Sequence, residues 1–119
     1  QNIACALENM ALPRAEIDRR RVAELDIEFH DAIFHAARSR RLYRAWETLR
    51  SQLMMFLMLR DALPADYLDS WHRDHARLLD AIRSGDAANA DAIIVEHVES
   101  AKKRLLAILH AKRQAASQT

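Results

Sequence analysis

Asp26 and His30 stand four residues apart in the stretch Glu24 to Ala36, ELDIEFHDAIFHA. On a helix that spacing carries both side chains to adjacent turns of one face, which is how a helix offers two ligands to a metal ion. The helix itself is legible from Val22, Leu25, Phe29, Ile33 and Ala36, which recur at spacings of three and four and place Asp26 and His30 at the edge of the apolar stripe. A carboxylate and an imidazole turned toward a core cost free energy unless something there satisfies them. Two more histidines fall in core slots. Leu68, Trp71, Leu78 and Ile82 form a series whose missing member is His75, and His97 lies one turn from Ile93 and Ala101 on the inward side of the last helix. Three imidazoles and one carboxylate suit a borderline divalent ion such as Zn²⁺, Ni²⁺, Mn²⁺ or Fe²⁺, at metal to nitrogen distances of about 2.1 Å.

The other three of the 6 histidines have plainer readings. His35 shares a polar face with Glu24, Glu28, Asp31 and Arg38, so Asp31 and His35 repeat the four-residue spacing on the solvated side. His72 leans toward Asp69, and His110 near the C-terminus suits the helix dipole.

The elements that must position these groups are all helical. With 50% hydrophobic residues but only 1 Gly and 2 Pro, the 119-residue chain lacks the turn residues an all-β fold would use, and its length suits one domain. A short helical pattern with Ile3, Leu7 and Met10 on one side stops at Pro13. The Asp26 helix runs from about Ala15 to Ala37, and Ser39 caps a third helix reaching about Ala62. On this third helix Leu42, Trp46, Leu49, Leu53, Phe56 and Leu57 are expected inward, and the almost wholly apolar run LMMFLML is read as core filler, with self-association as the second option. Pro64 suits the first turn of a fourth helix reaching Ser84. Gly85 and Asp86 make a tight corner into a last helix, about Ala87 to Ala115, followed by a polar, disordered tail. Short corners between neighbours predict an antiparallel helical bundle.

Eighteen basic against 17 acidic residues leave a formal charge of +1, which supplies no field for gripping nucleic acid or an anionic membrane. No apolar run approaches the roughly 18 residues that cross a bilayer. The single cysteine, Cys5, with no secretory leader in view, fits a reducing cytoplasm. The start at Gln1 rather than methionine reads as a fragment of a longer protein.

The ordered set Leu25-Asp26-Ile27-Glu28-Phe29-His30, Trp46 and Leu49, Asp74-His75-Ala76-Arg77-Leu78-Leu79-Asp80-Ala81-Ile82 with Gly85-Asp86, and Glu96-His97-Val98 resembles the effector-binding C-terminal domain of GntR-type bacterial transcriptional regulators. More narrowly it resembles the FadR-type subfamily, whose ligand domain is called FCD, over about residues 17 to 109. The resemblance implies an antiparallel bundle of six or seven helices; with the pattern above, the expectation is five to seven. It implies a metal held by Asp26, His30, His75 and His97, no catalytic residue, a homodimer, and a small organic acid whose binding changes the DNA affinity of an N-terminal winged helix-turn-helix domain. That domain is absent from these 119 residues, and the chain is expected to begin after the first helix of the usual ligand domain. Ser39 stands where the family often has asparagine and is read as a cap.

If the ion prefers six ligands, two positions stay open to water or to the acid. Arg50, one turn beyond Trp46, is the candidate to pair with a second carboxylate of the effector, or else it snorkels to the surface. Open positions also permit chemistry, so a metal-dependent hydrolase or oxygenase is one rival. Against it, the chain has neither a Glu-x-x-His pair nor H-E-x-x-H, and His30-Asp31 resembles an HD phosphohydrolase dipeptide without the other required residues in order. A metal-free interaction module, whose inward histidines bond to one another, is the other rival.

Overall fold

Hydrogen-bonding side chains ahead of apolar-striped segments set most of the helix starts. In the computed structural model, which describes residues 2–11, 13, 15, 18–60, 63 and 66–119, five helices follow in order. They are α1 (Ile3–Asn9), α2 (Arg19–Ala36), α3 (Arg40–Leu57), α4 (Tyr67–Arg83) and α5 (Ala87–Ser117), and no strand occurs among the described residues. The fold is all-α, as the composition and the helical period predict. Asn2, Asp18, Ser39 and Asp86 each accept a backbone N–H of the first turn, at 2.7, 2.8, 3.3 and 3.1 Å. Each cap satisfies a donor that the helix cannot satisfy internally.

Three boundaries differ from those the period gives, the first because Asp18 caps α2. α2 starts after the Asp18 cap rather than near Ala15, α3 ends at Leu57 rather than near Ala62, and α5 continues through most of the tail expected to be disordered. The Pro64 start of the fourth helix lies outside the described residues. The corner from α4 to α5 is as expected: Gly85 has φ +71° and its N–H reaches the Ile82 carbonyl at 3.3 Å. A Cβ there would meet nothing within 4 Å, so the cost of Gly85→Ala is conformational alone. It should destabilise the protein by about 1 kcal/mol in urea unfolding, the strain of a left-handed L-residue.

The chain forms two compact units, residues 1–75 and 76–119. In the first, α1 packs on α2 and α2 on α3. Phe29 and Leu25 are completely buried, with Val22, Ala23, Ala32, Trp46 and Trp71 nearly so, each large apolar side chain contributing about 1.5–3 kcal/mol. The α3 stripe differs from expectation. Trp46 is buried, but Leu42, Leu49 and Phe56 are 42%, 54% and 37% exposed. The reason is a polar one: α3 turns Tyr43, Trp46 and Arg50 toward α2, where all three hydrogen-bond to one carboxylate or to each other. Those residues lie at i, i+3 and i+7, one residue out of phase with Leu42, Leu49 and Phe56.

In the second unit, Leu78, Leu79 and Ala81 are buried, whereas Ile82, placed inward from the sequence, is 37% exposed. Ala101, also placed inward, is exposed. Arg77 and Glu96 form an exposed ion pair at 3.0 Å between α4 and α5. No described helix is long and apolar enough to cross a membrane.

Candidate metal centre

Asp26 is the centre of the arrangement in the first unit. It projects from the third turn of α2 into the space beside α4, and it is buried although it carries a charge. Its Oδ1 lies 3.1 Å from His30 Nε2 and 3.3 Å from His75 Nε2, while its Oδ2 accepts the indole N–H of Trp71 at 3.0 Å. The four-residue spacing of Asp26 and His30 therefore converges as the sequence requires, and the core slot at 75 delivers its imidazole to the same oxygen. Phe29 walls the site, with its ring edge-on to His30 at 5.6 Å and to His75 at 4.9 Å between centroids.

The protonation of His75 is constrained by its other nitrogen. Nδ1 lies 2.7 Å from the Trp71 carbonyl oxygen, which can only accept, so Nδ1 carries the proton. A neutral His75 then turns the Nε2 lone pair at a carboxylate oxygen 3.3 Å away. Two acceptors at that distance need a positive charge between them: a proton, which makes the ring an imidazolium, or a cation. Without an ion, burial pushes the Asp26 carboxyl up, but hydrogen bonds and attraction from His30 and His75 outweigh it and hold it well below the usual carboxylate range. Burial likewise pulls His75 down, and its bond and attraction to Asp26, with the Trp71 carbonyl, carry it above the usual value.

The geometry equally fits an ion. Two ligand atoms about 2.1 Å from one metal are about 3.0–3.4 Å apart at octahedral to tetrahedral angles, which brackets both observed separations. An imidazole that gives its second N–H to a backbone carbonyl is the usual state of a metal-bound histidine. His97, the fourth residue of the expected set, is half-buried on α5 in the second unit.

Asp31 corrects the sequence reading. It does not simply face solvent: its Oδ1 accepts from Tyr43 Oη at 3.2 Å and Trp46 Nε1 at 3.0 Å, and pairs with Arg50 Nη2 at 3.2 Å. A helical wheel of α2 alone cannot show that α3 covers this face; the signal available was the Tyr43, Trp46, Arg50 spacing. His35 is exposed, as expected. Arg50 is thus neither free nor snorkelling. Its guanidinium is held by Asp31 and Tyr43, and its buried Nε–H has no acceptor. It also lines a shallow open groove between α2 and α3 with Glu24, Ile27, Glu28, Ser51 and Met54.

Comparison with known proteins places the chain in a family. The model of the FCD domain matches residues 2–100. The chain belongs to the FCD domain family. The FCD match contains Asp26, His30, His75 and His97. This FCD chain is also 32% identical over 82 residues to a probable D-xylose utilization operon transcriptional repressor of Paenarthrobacter nicotinovorans, covering 68% of the chain and 35% of the relative. The aligned segment thus spans about a third of that relative's length. No solved structure gives a significant match.

Proposed function

We propose that this chain is the ligand-sensing domain of a bacterial transcriptional regulator, in which Asp26, His30, His75 and His97 hold one divalent ion and a small organic acid binds at its open positions. The observation that carries the reading is the buried Asp26 oxygen facing two imidazole Nε2 atoms at 3.1 and 3.3 Å, one of them with its proton fixed on the far nitrogen. A buried cluster of that kind is strongly costly without a positive centre. His97 enters as the fourth ligand as a half-buried imidazole of α5, with the ion a Zn²⁺, Ni²⁺, Mn²⁺ or Fe²⁺ that accepts mixed nitrogen and oxygen donors.

The bound ion supplies a Lewis-acidic positive charge for an acid group. The residues around it do the rest: Trp71 and Phe29 exclude water, and His75 and His30 present neutral nitrogen. Arg50 is the candidate second contact, where a ligand carboxylate would compete with Asp31 for the guanidinium. Ligand binding would act on the DNA affinity of a separate winged helix-turn-helix domain through a homodimer, with a coupling of about 1–3 kcal/mol. The FCD match and the similarity to a probable transcriptional repressor favour a regulator over an enzyme.

Isothermal titration of metal-loaded and chelator-stripped protein with di- and hydroxycarboxylates, and a neutral pentose as control, tests the proposal. Acid binding should appear with the metal and vanish on stripping. Equal acid binding by both forms would refute the metal as the acid's anchor.

A further inference from the structure

Trp71 touches both ends of the Asp26–His75 pair. Its indole N–H donates to Asp26 Oδ2 at 3.0 Å, and its carbonyl oxygen takes the Nδ1–H of His75 at 2.7 Å, one helical turn on. Trp71 is 4% exposed and its ring stands edge-on to His75 at 5.7 Å, so water does not compete for either bond. The two contacts differ in what they require of the sequence. Any residue at 71 would offer that carbonyl, because it sits four residues before His75 on the same helix. The donor to Oδ2 needs the indole.

We propose that Trp71 is a positioning residue for the metal centre: its N–H engages Asp26 Oδ2, so that the carboxylate binds the ion through Oδ1 alone and in a fixed plane. The role rests on the metal reading above. An unpinned carboxylate on α2 can rotate about its terminal torsion, which is broad and roughly two-fold. Both oxygens are then equivalent, and the ion can take either or both. With Oδ2 engaged, Oδ1 is the oxygen left facing His30 Nε2 and His75 Nε2, as the distances show. Outer-shell donors of this kind typically account for about 10–100-fold in metal affinity.

The test uses Co²⁺ as the probe on wild type, Trp71→Phe and a variant carrying 3-benzothienylalanine at position 71, which keeps the indole shape with sulfur in place of N–H. Affinity is read by competition with a chromophoric chelator and ligand geometry by the visible absorption of bound Co²⁺. Both variants should bind about 10–100-fold more weakly, and both spectra should change as Oδ2 is released to the ion. A purely space-filling role would leave the benzothienyl protein identical to wild type in both readouts, and that result overturns the proposal even if Trp71→Phe is impaired through loss of packing. His75→Ala separates this from the underlying reading. If it loses Co²⁺ while the position-71 variants match wild type, the Trp71 role alone fails; if wild type takes up no Co²⁺, the metal reading fails and this role with it.

Discussion

Asp26→Asn is expected to abolish metal uptake while leaving the stripped protein folded. The amide can place its oxygen toward the Trp71 N–H and its NH₂ toward the Nε2 atoms of His30 and His75, whose lone pairs then accept. Every polar group of the cluster stays satisfied with both rings neutral, so the change in stability should be about that of one hydrogen bond, roughly 1 kcal/mol. The NH₂ cannot ligate, and its occupation of the space between the imidazoles excludes the ion. Asp26→Ala should behave differently. It leaves the Trp71 N–H without an acceptor and His75 without its counter-charge, both buried. Removing one member of a buried charged pair costs about 3–5 kcal/mol. Urea unfolding of the chelated proteins, beside a metal-binding assay, checks both arms. Metal-dependent stabilisation that survives in Asp26→Asn would show that the carboxylate is not a ligand.

Phe29→Ala should be the most damaging change that touches no charge. The side chain is fully buried and its ring lies edge-on to both His30 and His75. Truncation removes the transfer free energy of the ring and leaves a cavity, together about 3–5 kcal/mol. Because the ring walls the proposed metal site, metal affinity should fall with stability. Leu49→Ala is the matched control from α3. Had the leucine stripe faced the core, it too would cost several kcal/mol; at 54% exposure it should stay within about 0.5 kcal/mol in the isolated chain. A cooperative melt of Phe29→Ala at the wild-type temperature would contradict the packing described here.

The contrast between those two residues shows where sequence reasoning works. The α2 stripe was legible because α2 is covered by α1 on one flank and α3 on another, and its apolar period matches its burial at Val22, Leu25 and Phe29. Asp26 and His30 were legible for the same reason, as polar residues standing where apolar ones belong. His75 was a gap in an apolar series. α3 was misread because its apolar period and its buried face are not the same face. Tyr43, Trp46 and Arg50 face α2 by hydrogen bonding to Asp31, and an apolar count gives such bonds no weight. Trp71 was placed in the core on hydropathy, correctly, but nothing in a single sequence distinguishes an indole that fills space from one whose N–H holds a carboxylate. The i, i+4 pairing of Asp26 with His30 was legible because that spacing is tied to helix geometry. The bond from Trp71 to Asp26, 45 residues apart, has no such fixed spacing.

The most direct test of the account is the metal content of the purified protein, measured by elemental analysis after loading with Zn²⁺, Ni²⁺, Mn²⁺ or Fe²⁺ and removal of free ion. The account predicts one ion per wild-type chain with at least one of these metals, and loss of that ion in Asp26→Asn, His30→Ala, His75→Ala and His97→Ala. A wild-type chain that retains none of the four, or variants that retain the full wild-type content, would contradict it.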